Sequence, residues 1–208
     1  RDLEAGGSWL ALNRRGQLAA VTNFRELPRQ PGQTSRGQIP VAFVQDALDG
    51  EDFLSRLLQH DSYAGVNIIA GSLVDNDWYY ASNRSPGILP IGDGIHGLSN
   101  GLLNSRWPKI CNARPVIEQL LQQAFTPELW FALLADTTRP DDRQLPDTGV
   151  GLDTERLLSS RFIAGDRYGT RSSTLVVTDR QGRVNVFERC FDAQANITGT
   201  GHFCLTPD

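Results

Sequence analysis

The 208-residue chain contains no methionine, only three cysteines and a single lysine, Lys109, among its 20 basic residues. It also lacks a long hydrophobic run. The most apolar stretch, Val66 to Val74, is broken by Asn67, Gly71 and Ser72, well short of the ~20 apolar residues of a membrane helix, so no membrane span is expected. Cys111, Cys190 and Cys204 are odd in number and lack CxxC spacing, which argues against a closed disulfide framework and for a reducing, cytoplasmic setting. With 24 acidic residues against 20 basic ones, the formal charge is −4, and no dense cationic patch of the kind phosphate backbones select is present. Nucleic acid is therefore not expected as a partner. His60, His96 and His202 are scattered, with no HExxH and no close His–Cys pair, so no metal site is expected. Neither a phosphate-binding GxxxxGK[ST] loop nor a strand-to-helix GxGxxG is found, Gly92-Asp93-Gly94 reads as a turn, and no cofactor is expected. The GxSxG elbow of α/β hydrolases is absent as well. A translated chain begins with methionine unless processed, so a chain that opens at Arg1 with no methionine is expected to lack its natural beginning and any chemistry carried there. The remainder reads as one domain over 1–208, long enough to need neither disulfide nor metal to fold.

What is present is an alternation of hairpins and helix pairs. Two apolar runs flank Asn13-Arg14-Arg15-Gly16, a hairpin signal. The segment from Arg25 to Gln38 reads as a surface loop. Pro40, with Phe43, Val44, Ala47 and Leu48, predicts one helix, and Asp49 caps a second that buries Phe53, Leu54, Leu57 and Leu58. VNIIAGSLV and WYYAS form a second hairpin about Asp75-Asn76-Asp77, followed by loop signals at Ser85-Pro86-Gly87. Pro108 opens one helix through Ile110, Val116 and Leu121, with Cys111 buried in it. Thr126-Pro127-Glu128 starts another, and Phe125, Phe131 and Leu134 read as core. A polar loop over 136–153 leads to strands at Thr174–Thr178, Val184–Phe191 and Ile197–Leu205. This order favours an α+β architecture with mainly antiparallel sheets over a doubly wound parallel one.

Polar residues stand where strands begin or end: Thr22-Asn23, Ser99-Asn100, and the run from Gly169 to Thr174 that contains Arg171. Amide donors at strand ends can face a developing oxyanion, and a guanidinium can hold a carboxylate or orient a nucleophile. The simpler reading has both asparagines closing turns and Arg171 pairing with an acid. Trp9, Trp78, Tyr79 and Tyr80 either line a ligand pocket or pack between layers.

The segments RDLEAGGSWLALNRRGQLAAVTNFRE, YAGVNIIAG, GLSNGLLNSRWPKI and YGTRSSTLVVTDRQGRVNVFER resemble the family named for its Asn-Arg-Asp-Glu motif, also called the transport and Golgi organisation 2 family. The resemblance spans almost the whole chain in order. The motif itself, and the cysteine after the initiator methionine, would lie before Arg1. The resemblance implies an N-terminal-nucleophile hydrolase fold, a four-layer αββα sandwich. In that class a first-residue Cys, Ser or Thr attacks a carbonyl while its own α-amine acts as base. A weaker similarity to the bile-salt hydrolase and penicillin acylase branch implies that Asn23 and Asn100 help form the oxyanion region and that Arg171 steadies nucleophile or substrate, with Arg161 as the alternative arginine. Trp9 and Tyr168 are then the substrate-binding aromatics. The resemblance thus implies hydrolysis or transfer at an acyl-amide C–N bond by the full-length protein, with the chain as given inactive. Its alternative is a non-enzymatic heme- or lipid-handling protein, since the family also carries roles in heme handling, lipid homeostasis and secretory organisation.

Overall fold

A computed structural model describes residues 6–27, 32–59 and 62–207. The chain divides into two compact units, Arg1–Ser105 with Thr206–Asp208, and Arg106–Leu205.

The first unit is built on a five-stranded antiparallel sheet in the order β1-β2-β3-β4-β5. Its strands are β1 (Leu10–Leu12), β2 (Gln17–Asn23), β3 (Val66–Ser72), β4 (Asp77–Ser82) and β5 (Ser85–Pro90). The β1–β2 turn closes as the sequence predicts. Asn13 Oδ1 accepts from Arg15 N at 2.9 Å and Gln17 N at 3.1 Å, and Gly16 takes the left-handed φ of 79° that a side chain would disfavour. Two helices follow, α1 (Gln38–Gln45) and α2 (Gly50–Leu57). The first ends before Ala47 and Leu48, because Asp46 is extended and its carboxylate takes the N–H groups of both residues. Asp49 caps α2 as expected, accepting from Asp52 N at 2.8 Å. Ile39, Phe43, Phe53 and Leu54 from the helices pack on Ala19, Val21, Val66, Ile68, Ala70 and Ala81, with the Phe43 and Phe53 rings edge to face at 5.1 Å. Alternation along β3 therefore turns Val66, Ile68 and Ala70 to the helices and Asn67 and Ile69 to the opposite face.

Ser85-Pro86-Gly87, expected as loop, instead opens β5. This is an edge strand that pairs only with β4, so the missing N–H groups of Pro86 and Pro90 can be tolerated there.

In the second unit the sheet is three-stranded and antiparallel: β6 (Ser172–Thr178), β7 (Val184–Phe191) and β8 (Ile197–Leu205). The single helix expected after Pro108 is two, α3 (Pro108–Cys111) and α4 (Arg114–Leu120). Pro115 explains the break, since it offers no N–H to Cys111 and its ring crowds that carbonyl. Cys111 is exposed, not buried. Phe125 is likewise 42% exposed, while Phe131 of α5 (Pro127–Leu134) is core. The polar stretch expected to be loop holds a 3-10 turn at Asp142–Gln144 and a helix, α6 (Leu152–Leu157), whose Glu155 is buried and accepts from Thr148 N at 3.1 Å and Thr148 Oγ1 at 2.5 Å. Among the described residues no helix is long and apolar enough to cross a membrane.

Arg161 ties the helices of this unit together. Nε donates to Leu133 O at 2.9 Å, Nη1 to Lys109 O at 3.3 Å and Nη2 to the Asp136 carboxylate. Hydrogen bonds from the Thr138 hydroxyl and N–H, aided by Arg161, hold the Asp136 carboxyl below its ordinary value of 3.8. A lowered carboxyl contributes stability that is complete above that ordinary value and is lost as pH falls through the folded-state value. The urea midpoint is thus expected to drop as pH falls below the ordinary aspartate value, and to drop less in Asp136→Asn, which is already destabilised by about 2 kcal/mol at neutral pH. Parallel acid profiles for the two proteins would show that this ion pair is not a source of the dependence.

Candidate functional site

Asn23 closes β2 and Asn100 lies in the loop that follows β5, and the structure brings the two together. Asn100 Nδ2 donates to Asn23 O at 2.9 Å, and Arg25 N donates to Asn100 O at 2.7 Å. Asn100 Oδ1 has only long contacts, from Arg25 Nη2 at 3.4 Å and Ser99 Oγ at 3.5 Å. Asn23 pairs with Val66 across the sheet, and its Oδ1 is buried with no hydrogen-bond partner among the described residues. A buried acceptor left without a donor costs about 1–3 kcal/mol, so it marks a place where an N–H or O–H group would be bound favourably.

The loop carrying Asn100 is fastened to the sheet by Asn67 and Thr22, with Tyr80 behind Asn67. Asn67, fully buried on β3, donates through Nδ2 to Gly101 O at 2.9 Å and to Thr22 Oγ1 at 3.1 Å, and accepts from Tyr80 OH at 2.8 Å. Thr22 Oγ1 in turn donates to Ser99 O at 2.5 Å. Burial raises the Tyr80 pKa, keeping the phenol a neutral donor. Ser99 and Gly101 are thus each bonded to one connected polar network, and Asn100 is held between them. The available signal was an asparagine inside the apolar run VNIIAG. A polar side chain at the centre of a strand must find partners in the fold, which cannot be read from periodicity alone.

Beyond the strand, His96 sits on the same loop, with Nε2 3.0 Å from Gly92 O and Nδ1 3.0 Å from Asn104 Nδ2. Asn104, at a left-handed φ of 60°, also accepts from Gly97 N at 2.9 Å. These bonds brace the loop locally. Before β1, Gly7 lies against Gly37 so closely that a side-chain carbon would meet the Gly37 carbonyl at 2.4 Å. Trp9, whose carbonyl accepts from Val21 N at 2.9 Å, is 49% exposed.

Arg171 and Tyr168 belong to the second unit. Arg171 is exposed, and its guanidinium makes no hydrogen bond or ion pair among the described residues; only its carbonyl is engaged, by Phe191 N at 2.8 Å. Its charge acts on Asp192, whose carboxyl is held below its ordinary value by Asn196 first, with Gln194 and Arg171 adding to the effect, and no contact ion pair forms among the described residues. Tyr168 is 60% exposed. The alternative arginine, Arg161, is spent on Leu133, Lys109 and Asp136 in the second unit. The three cysteines are free: Cys111 and Cys204 exposed, Cys190 half-buried. Among the described residues no group of three or more His, Cys, Asp or Glu side chains could hold a metal ion.

An antiparallel mixed α/β chain with a pinned asparagine pair at a strand end is the class these features define. Its family follows from comparison. The family model for transport and Golgi organisation 2 matches residues 1–193. The mouse transport and Golgi organization 2 homolog is 29% identical over 219 residues, covering 97% of this chain and 79% of the mouse protein. The human transport and Golgi organization protein 2 homolog is 30% identical over 198 residues, covering 88% of this chain and 72% of the human one. The chain belongs to the transport and Golgi organisation 2 family.

Proposed function

We propose that the chain forms the body of an N-terminal-nucleophile-type amidohydrolase or acyltransferase, acting on an acyl-amide C–N bond in a cytoplasmic, thiol-reducing setting. Asn23 and Asn100 surround the reacting carbonyl, Arg171 steadies nucleophile or substrate, and Trp9 and Tyr168 contact the substrate. The fold assigned is the single-domain αββα class, supported by the antiparallel sheet and helices in each unit.

The observation that carries the reading is the unpartnered Asn23 Oδ1 beside the fixed Asn100. An α-amine or an amide N–H is the donor chemistry that answers such an acceptor. Asn100 uses one N–H of Nδ2 on the Asn23 carbonyl, leaving its second N–H for an oxyanion. In the reaction a thiolate sulfur attacks the acyl carbon, the C–N bond breaks, and the proton taken by the nucleophile's α-amine passes to the departing amine. Water, or an acceptor amine, then releases the acyl group.

The reading requires a cysteine with a free α-amine upstream of Arg1. Cys111, Cys190 and Cys204 are internal, so an activated acyl ester incubated with the 208-residue chain is expected to leave all three without stoichiometric, saturable acylation by peptide mass spectrometry. Saturable labelling of one of them would place the nucleophile inside this chain and overturn the proposal.

A further inference from the structure

The helix-covered face of the first unit contains a cavity of about 550 Å³, within the range of small-molecule sites. It lies between Leu57 and Leu58 at the end of α2, Val66 and Ile68 of β3, and the turn that joins β4 to β5. Its polar rim is already satisfied internally. Asn83 Nδ2 donates to Tyr63 O at 3.0 Å and Ala64 O at 3.2 Å, and Asn83 Oδ1 accepts from Val66 N at 2.9 Å. Ser82 Oγ donates to Val66 O at 2.9 Å. The Arg84 charge is met by Glu26, with Nε and Nη2 donating to the two carboxylate oxygens at 2.7 and 2.6 Å. Two lining hydroxyls, Tyr63 and Ser85, make no hydrogen bond among the described residues. Burial raises the Tyr63 pKa, so its phenol remains an uncharged donor.

We propose that this cavity binds a neutral amphiphile, its hydrocarbon body against Leu57 and Leu58 and one uncharged hydrogen-bonding head on Tyr63 and Ser85. The charge balance selects neutrality. An anionic head would compete with Glu26 for Arg84, and a cationic head would meet Arg84 at the rim. None of the residues proposed for the acyl chemistry lines this cavity, so the two readings are tested separately.

Titrating the ¹⁵N-labelled 208-residue chain with 1-octanol, octanoate and octylammonium tests this. Octanol is expected to give saturable shifts confined to 57–68 and 82–87, with both charged analogues at least ~10-fold weaker. Leu58→Trp, which fills the space, should abolish binding. Tyr63→Phe, which keeps the packing and removes only the hydroxyl, should weaken it by about 10-fold. Absence of saturable binding, shifts spread over the surface, octanoate or octylammonium binding as tightly as octanol, or full affinity in Tyr63→Phe would each overturn the assignment.

Discussion

Asn67→Ala is expected to lower stability by about 3 kcal/mol and to release the loop that carries Asn100, a large effect for a substitution that removes no apolar surface. The side chain makes three hydrogen bonds, and its loss strands the Gly101 carbonyl and the Tyr80 hydroxyl where water does not readily reach. Asn67→Asp is expected to be nearly as costly, because a carboxylate would face the Gly101 carbonyl with an acceptor instead of a donor. Tyr80→Phe should cost less, about 1–2 kcal/mol, since it removes one bond of the three. Urea midpoints give the ranking, and hydrogen exchange gives the location. The Arg25 amide, bonded to Asn100 O, should lose protection before the rest of the sheet. Leu89→Ala, at a half-exposed edge position, should stay within about 0.5 kcal/mol. An Asn67→Ala protein as stable as its parent would show that the network does not hold the loop.

The second large effect separates activity from stability. Asn23→Ala in a catalytically active protein is expected to reduce kcat/KM about 100-fold, the loss of about 3 kcal/mol of transition-state stabilisation typical of an oxyanion-site amide. Its stability should be unchanged or slightly raised, because the deleted carbonyl oxygen is buried without a partner in the folded protein. A turn-closing asparagine would behave in the opposite way, losing stability and leaving turnover alone. Asn100→Ala should show a comparable rate loss together with about 1 kcal/mol of destabilisation, since its bond to the Asn23 carbonyl goes with it. Full turnover in both variants would move the chain to the ligand-binding reading.

The hairpins and the α2 cap were legible because they depend on local chemistry, namely a positive-φ glycine and a side chain reaching its own helix start. The bounds of β7 and β8 follow the β-branched and aromatic runs directly. What failed was decided at longer range. Proline and glycine at Ser85-Pro86-Gly87 signal a loop, yet an edge strand needs ladder bonds on only one side. Hydrophobicity places Cys111 and Phe125 inside, but α3 buries none of its own residues and Phe125 lies exposed in the segment between α4 and α5. The meeting of Asn23 with Asn100 was carried by the family resemblance. The side chains that secure it, Thr22, Asn67 and Tyr80, come from three strands whose register no spacing rule supplies.

The most direct test of the acyl-transfer account is peptide mapping of the protein carrying native sequence upstream of Arg1, trapped during turnover of an activated acyl amide. The account predicts one acyl group per chain on an N-terminal cysteine, formed roughly 100-fold more slowly in Asn23→Ala. Turnover with no adduct there, or an adduct on Cys111, Cys190 or Cys204, would contradict it.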